Sequence, residues 1–152
     1  RAFAIINVAV PSRLVIVGSG EDREKVLNLV KELKLAISVS LLEPVPYESL
    51  ASVYHSADVL LHTSLSEGQC EVVTEAMSCG LPVCGTRVGL MHDLPECCVV
   101  VDIRDYRTLA EKTIALVHDP NQMNEIRMRA HQWTSQHDIF WTANQLIGLY
   151  GS

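Results

Sequence analysis

Two short apolar runs separated by an amphipathic segment most constrain how this chain can fold. Residues 58–62 and 81–85 are apolar and bounded by turn residues, as is typical of buried parallel strands. The segment between them places Val72, Val73, Ala76 and Met77 on one helical face, and Gly80 can end that helix. The pattern therefore predicts strand, loop, helix and strand. The loop lies at the carboxyl end of the first strand, where open α/β sheets bind their ligands.

Further short strands alternate with helices along the rest of the chain. The sequence predicts strands at residues 13–17, 36–42 and 98–101, each near a segment with apolar residues at helical spacing. Because parallel strands need crossover connections, this alternation predicts one α/β domain with a doubly wound parallel sheet. The first helix is predicted to bury Ala2, Phe3, Ile5 and Ile6. The glycines at 18–20 lack the third glycine of a dinucleotide motif, and two acids follow, so they indicate only a tight turn.

Charge, hydropathy and cysteine usage exclude several classes of function. The formal net charge of −6, without a lysine-rich run, argues against nucleic-acid binding. No apolar run reaches about 18 residues and no signal-peptide pattern is visible, so we expect a cytoplasmic protein without a transmembrane helix. The five cysteines form no C-x-x-C pair, which favours a reducing compartment. No histidine or cysteine pair has zinc-ligand spacing, so we expect no metal site.

The loop and helix start at residues 67–72 carry the groups that a diphosphate needs. The first N–H groups of a helix attract an anion, and Gly68 lets the ligand approach the backbone closely. Gln69 and Cys70 add further N–H groups at this point. Glu71 brings a negative charge into the first turn, so we expect it either to point away from the ligand or to weaken binding.

The same segment resembles the donor-site motif of the retaining GT-B glycosyltransferases of family four, also called group 1. Glu67 and Glu75 have seven residues between them, and Ala76-Met77, Cys79-Gly80 and Pro82-Val83 follow. Residues 54–59 resemble the family's Tyr-x-x-Ala-Asp-Val pattern. The resemblance implies that residues 1–152 are the C-terminal, donor-binding half of a GT-B fold, a Rossmann-like domain truncated at its N-terminal edge.

The resemblance also implies roles for individual residues. Glu67 would lie beside the donor sugar as the catalytic carboxylate, and Glu75 would accept hydrogen bonds from the ribose hydroxyls. Glu43 stands where the family usually has glycine, in the loop that approaches the nucleotide base. The residues implied to contact the donor sugar and diphosphate are Gly68, Gln69, Cys70, Glu71 and Val72, and those of the base loop are Leu42, Glu43 and Val45.

The implied activity is glycosyl transfer from a nucleotide-diphosphate sugar, with UDP or GDP, to an acceptor hydroxyl with retention of configuration. The nucleotide sugar is a substrate, so no cofactor is expected. No metal is expected either, because an arginine and a lysine of the family neutralise the diphosphate. Those cations and the acceptor-binding domain would precede Arg1, and any peripheral membrane contact would belong to that missing half. We therefore expect the isolated chain to fold without catalysing transfer.

Departures from the family pattern leave alternatives open. A non-catalytic nucleotide-binding or scaffold module derived from this fold would also fit the sequence. A sugar-nucleotide epimerase shares the fold, but its histidine-rich site is not recognisable. Cys70 at a helix start could be a nucleophile, yet no histidine is near it in sequence, so we do not expect this role. His62 ends a strand at the ligand edge and is interpreted as a structural histidine.

Overall fold

Helices alternate with five short parallel strands in the computed structural model, which describes residues 1–150. The strands are β1 (Leu14–Val17), β2 (Val39–Leu42), β3 (Leu60–His62), β4 (Val83–Thr86) and β5 (Val99–Val101). The helices are α1 (Ala2–Ala9), α2 (Arg23–Glu32), α3 (Tyr47–His55), α4 (Glu71–Ser78), α5 (Leu90–Asp93), α6 (Tyr106–Val117), α7 (Pro120–Gln136) and α8 (Ile139–Tyr150).

The strands pair in two parallel ladders. β1 pairs with β2, and β4 lies between β3 and β5 in the second ladder. In the second ladder Leu60 lies opposite Val83, and Thr86 lies opposite Val101. The parallel α/β architecture predicted from the alternation of elements is therefore confirmed.

Helices cover both faces of the three-stranded ladder. Val83 and Val100 join a buried cluster with Met77 of α4, whereas the next residues along each strand, Cys84 and Val101, join a second cluster with helices α1 and α6. Successive strand residues point to opposite faces, so each strand contributes to both cores. This is the doubly wound arrangement, and it leaves the carboxyl ends of β3 and β4 free to carry loops.

Several predicted boundaries and faces differ from the structure. The strand predicted at residues 36–42 begins only at Val39, and Ile37 is almost fully exposed in the turn before it. Ile5 and Val72 were predicted to be buried, but they are 37 % and 45 % exposed. The other residues of the two predicted faces are buried: Ala2, Phe3 and Ile6 in α1, and Val73, Ala76 and Met77 in α4. The predicted helix stop is confirmed, because Gly80 adopts φ 68°.

No helix within residues 1–150 combines the length and the apolar character that crossing a bilayer requires.

Candidate functional site

An open cavity lies where β3 ends and α4 begins. Cys70 caps α4 in the left-handed conformation, with φ 65° and ψ 65°, and turns the loop into the first helical turn. The cavity has a volume of about 330 Å³. Its lining consists of Glu67, Gln69, Cys70, Glu71 and Val72, all residues for which the sequence predicted a ligand role.

Two hydrogen bonds hold the loop that carries Glu67. The Ser64 hydroxyl donates to Oε1 of Glu67 at 2.5 Å. The Ser64 carbonyl in turn accepts a hydrogen bond from the buried Thr86 hydroxyl, at 2.6 Å. Because Thr86 ends β4, the sheet itself fixes the position of the Glu67 carboxylate.

Gly89 supports the same loop by close approach. It adopts φ 51° and ψ −138°, and a Cβ atom there would lie 2.8 Å from the Gly68 carbonyl oxygen and 2.9 Å from Glu67 Cβ. Neither contact is compatible with a side chain. The loop after β4 therefore packs directly against the Glu67–Gly68 segment.

His62, Glu67 and Cys70 come together at the inner side of the loop. His62 Nε2 lies 3.1 Å from Cys70 Sγ and 3.4 Å from Glu67 Oε1. No histidine is near Cys70 in sequence, but the loop folds the helix start back onto the end of β3 and brings His62 next to the thiol. Burial raises the pKa of the Cys70 thiol, which keeps it protonated and disfavours a nucleophilic role.

His62, Glu67 and Cys70 also bring three possible metal-ligand atoms together, although no pair among them has zinc-ligand spacing in sequence. The expectation of no metal site stays a prediction. The three ligand atoms of His62, Glu67 and Cys70 lie within 4.8 Å of one another. Sequence spacing missed the group because its members come from a strand end, a loop and a helix cap.

Glu75 faces α3 from the second turn of α4. The Tyr54 hydroxyl donates to Glu75 Oε2 at 2.7 Å, so one carboxylate oxygen is held in place. Burial and this hydrogen bond raise the pKa of Tyr54, so the tyrosine stays a donor. Glu75 is half-buried, whereas Glu71 is exposed. The two acids of the helix therefore have different surroundings.

The predicted base loop is not part of the cavity lining. Leu42 is the last residue of β2 and is 42 % exposed, and Val45 is half-buried. Glu43 pairs with Arg23 at 3.1 Å, so its carboxylate has a cationic partner at the carboxyl end of the β1–β2 ladder. The polar partners of the Glu67 carboxylate are Ser64 and His62, and neither belongs to this loop.

Sequence reasoning missed four residues that shape the site: Tyr54, Ser64, Thr86 and Gly89. For Ser64 and Thr86, the signal that could have identified them was their position relative to the predicted strands. Ser64 and Thr86 both stand at or just beyond the carboxyl ends of neighbouring parallel strands, where polar side chains converge. The resemblance of residues 54–59 to a family pattern gave Tyr54 no role in the site, although a tyrosine has a hydroxyl that needs a partner when buried.

Comparison with known proteins places this architecture among glycosyltransferases. The family described as "Glycosyl transferases group 1" matches residues 1–133. D-inositol 3-phosphate glycosyltransferase of Corynebacterium urealyticum is 35 % identical over 139 residues, which cover 89 % of this chain and 33 % of the relative. The chain thus spans about a third of the length of that curated relative.

Solved structures show the same fold. Sucrose-phosphate synthase from Thermosynechococcus elongatus superimposes with a TM-score of 0.84 at 25 % identity, over 98 % of this chain and 40 % of that one. Anabaena HepE in complex with UDP gives a TM-score of 0.81 at 23 % identity, over 96 % and 43 %. The fold is the Rossmann-like α/β arrangement of GT-B glycosyltransferases. With the family match over most of its length, the chain belongs to the group 1 glycosyl transferases.

Proposed function

We propose that residues 1–152 bind the nucleotide-diphosphate sugar for a retaining glycosyltransferase. In this proposal the diphosphate lies against the first N–H groups of α4, and Glu67 lies beside the sugar. Glu75 accepts hydrogen bonds from the ribose. The acceptor-binding domain and the cations that neutralise the diphosphate belong to parts of the protein outside this chain. The transfer needs neither metal nor cofactor.

The observation that carries the proposal is the fixed loop in front of α4. The Ser64 hydroxyl and the Gly89 backbone hold the Glu67–Gly68 segment, while Cys70 turns the chain so that a helix N-terminus faces an open cavity. A helix start with a closely approachable backbone suits a diphosphate. A pre-positioned carboxylate beside it suits sugar hydroxyls.

The charge of the cavity explains why outside cations are part of the proposal. Among the described residues, the lining contains the carboxylates of Glu67 and Glu71 and no lysine or arginine. When the bond between the anomeric carbon and the diphosphate breaks, negative charge develops on the leaving diphosphate. The α4 N-terminus attracts that charge, but its effect equals only about half an elementary charge.

The test is calorimetric titration of the full-length protein with UDP and with GDP, each with and without magnesium. UDP is included because it is the nucleotide bound in the HepE structure. We expect one of the two nucleotides to bind without magnesium. Binding that occurs only with magnesium would contradict the metal-independent scheme.

Catalysis is tested separately from binding. The full-length protein is incubated with UDP and GDP sugars and candidate acceptors, and the anomeric configuration of any product is determined by NMR. A product with retained configuration supports the proposal, and an inverted product overturns the retaining mechanism. Nucleotide binding without transfer would favour the non-catalytic module.

A further inference from the structure

We infer that Tyr54 is a positioning residue for the nucleotide, because it orients the carboxylate that accepts the ribose hydroxyls. The inference rests on the proposed function, in which Glu75 contacts the ribose. Tyr54 belongs to α3 (Tyr47–His55) and does not line the cavity. The group of residues that selects a ribonucleotide over its deoxy forms therefore extends across two helices.

The Tyr54 ring is held in place by packing. Tyr54 is the penultimate residue of α3, and its partly buried side chain packs against the core cluster that includes Val73, Ala76 and Met77 of α4. The ring thus contacts the cluster to which the helix of Glu75 also contributes. Its hydroxyl donates to Glu75 Oε2 at 2.7 Å, although the two residues are 21 positions apart in sequence. A fixed ring therefore gives the carboxylate a fixed hydrogen-bond donor.

The hydrogen bond orients the carboxylate without pairing it with a cation. Oε2 accepts from Tyr54, so Oε1 remains to accept from a ligand. Burial raises the pKa of Tyr54, so the hydroxyl keeps the proton that it donates. None of the salt bridges formed within residues 1–150 includes Glu75, so no basic side chain there competes with the ligand. Tyr54 thus restricts the rotation of a side chain that otherwise has much rotamer freedom to lose on binding.

The orientation of Glu75 determines how strongly a missing ribose hydroxyl is penalised. A site built to bond a substrate hydroxyl rejects an analogue that lacks it, because the polar group of the site is then left without its partner. The penalty is large only if the carboxylate stays in place. A carboxylate that can rotate towards water loses little when the hydroxyl is absent. By holding Glu75, Tyr54 should therefore increase the preference for a ribonucleotide.

The test measures selectivity as well as affinity. The full-length protein is titrated calorimetrically with whichever of UDP and GDP the wild type binds, and with the 2′-deoxy and 3′-deoxy forms of that nucleotide. Tyr54→Phe removes the hydroxyl and keeps the ring that packs against the core. Tyr47→Phe is the matched control, because it removes the same group from the first residue of the same helix, where the residue is 77 % exposed.

We expect the wild type and Tyr47→Phe to prefer the ribonucleotide over at least one deoxy form by about tenfold or more, since a hydrogen bond to a charged group is lost. Tyr54→Phe should lower this preference by about two- to tenfold, the contribution of one ordinary hydrogen bond. If Tyr54→Phe instead weakened the binding of all three nucleotides equally, its role would be structural only and the inference would be overturned.

The double variant shows whether Tyr54 acts through Glu75. Adding Tyr54→Phe to Glu75→Gln should leave the preference of Glu75→Gln unchanged, and a further decrease would contradict the inference. A wild type that binds neither UDP nor GDP would refute the proposed function, and this inference with it. A wild type that binds and discriminates, together with an unchanged preference in Tyr54→Phe, would refute this inference alone.

Discussion

The two glutamates of α4 have different surroundings, and the proposed ribose contact depends on that difference. Glu75 is half-buried and has one carboxylate oxygen fixed by the Tyr54 hydroxyl, so its other oxygen is pre-oriented at little entropic cost. Glu71 is exposed and lines the cavity next to the helix start. The proposed ribose contact therefore belongs to Glu75.

This difference gives a prediction at the scale of single residues. Glu75→Gln should weaken nucleotide binding by roughly tenfold or more, because a hydrogen bond to a charged group contributes about 1.5–3 kcal/mol. Glu71→Gln is the matched control, since it removes the same charge from the same helix. It should leave affinity unchanged or raise it, because it removes repulsion near the diphosphate.

Calorimetric titration of both variants with the nucleotide that the wild type binds measures the effect. Equal losses in the two variants, or a loss only in Glu71→Gln, would mean that the ribose is assigned to the wrong carboxylate.

The residues that line the cavity could be predicted from the sequence, but the contacts that hold them in place could not. The five cavity-lining residues were all predicted, because the motif and the strand–loop–helix pattern are contiguous in sequence. The contacts of Ser64 with Thr86, and of Cys70 with His62, were not predicted. They depend on how far apart two strand ends and a loop lie in space, and local patterns carry no such distance.

At the scale of elements, the loop between β4 and α5 determines the shape of the site through Gly89. Gly89→Ala should lower the free energy of unfolding by about 1–3 kcal/mol, because alanine is strained at this positive φ. It should also weaken nucleotide binding, since its Cβ would push the Gly68 carbonyl. Gly20→Ala is the control, because nothing lies within 4 Å of its Cβ position.

Urea unfolding and nucleotide titration of the two variants provide the measurements. The control should change the unfolding free energy by less than about 1 kcal/mol. If Gly89→Ala and Gly20→Ala had the same unfolding free energy and the same nucleotide affinity, the supporting role of Gly89 would be wrong.

The start of α6 gives a prediction about pH. Asp105 caps this helix by accepting a hydrogen bond from Thr108, which lowers the pKa of its carboxyl. The folded pKa is below the unfolded one, so the stabilisation is present above the unfolded pKa and is lost as pH falls through the folded pKa. Asp105→Asn can still cap the helix but cannot titrate.

The comparison is made by urea unfolding of wild type and Asp105→Asn between neutral pH and about pH 3, a range chosen to cross the usual aspartate pKa. The stability advantage of the wild type should shrink as the pH falls. An advantage that stays constant over this range would show that the cap does not depend on the charge.

Element types were predictable where the pattern was long, and boundaries were not. The segment 36–42 predicted a strand correctly, but only Val39–Leu42 pair with β1, because the parallel ladder begins at Leu14, the first residue of β1. Helix α5 has four residues, too few to show a helical period, and the sequence did not predict it. In α8 the apolar residues Phe140 and Ile147 are exposed, so apolar character alone did not indicate burial.

At the scale of the whole molecule, the buried thiols report on global unfolding. Burial raises the pKa of Cys84 to about 11 and that of Cys98 to about 12. At pH 8 both should resist alkylation in the folded protein and react after unfolding in urea, whereas the half-buried Cys79 should react first. Mass spectrometry of peptides after timed labelling measures the order.

The same thiols predict a loss of stability in alkali. Thiols of the unfolded chain ionise near pH 8.5, while those of the folded chain stay neutral to higher pH. Stability should therefore fall as pH rises above that value. Labelling of Cys84 in the folded state as fast as Cys79 would contradict the burial on which both expectations rest.

The contact of Gly89 with Gly68 has a thermodynamic consequence. The two loops pack against each other, so local opening of one disturbs the other. A ligand that stabilises the observed conformation of one loop should therefore also stabilise the other. Nucleotide bound at residues 67–72 should therefore slow amide hydrogen exchange in residues 86–92, which do not line the cavity. By reciprocity, a change that loosens the loop after β4 should also weaken nucleotide binding at residues 67–72.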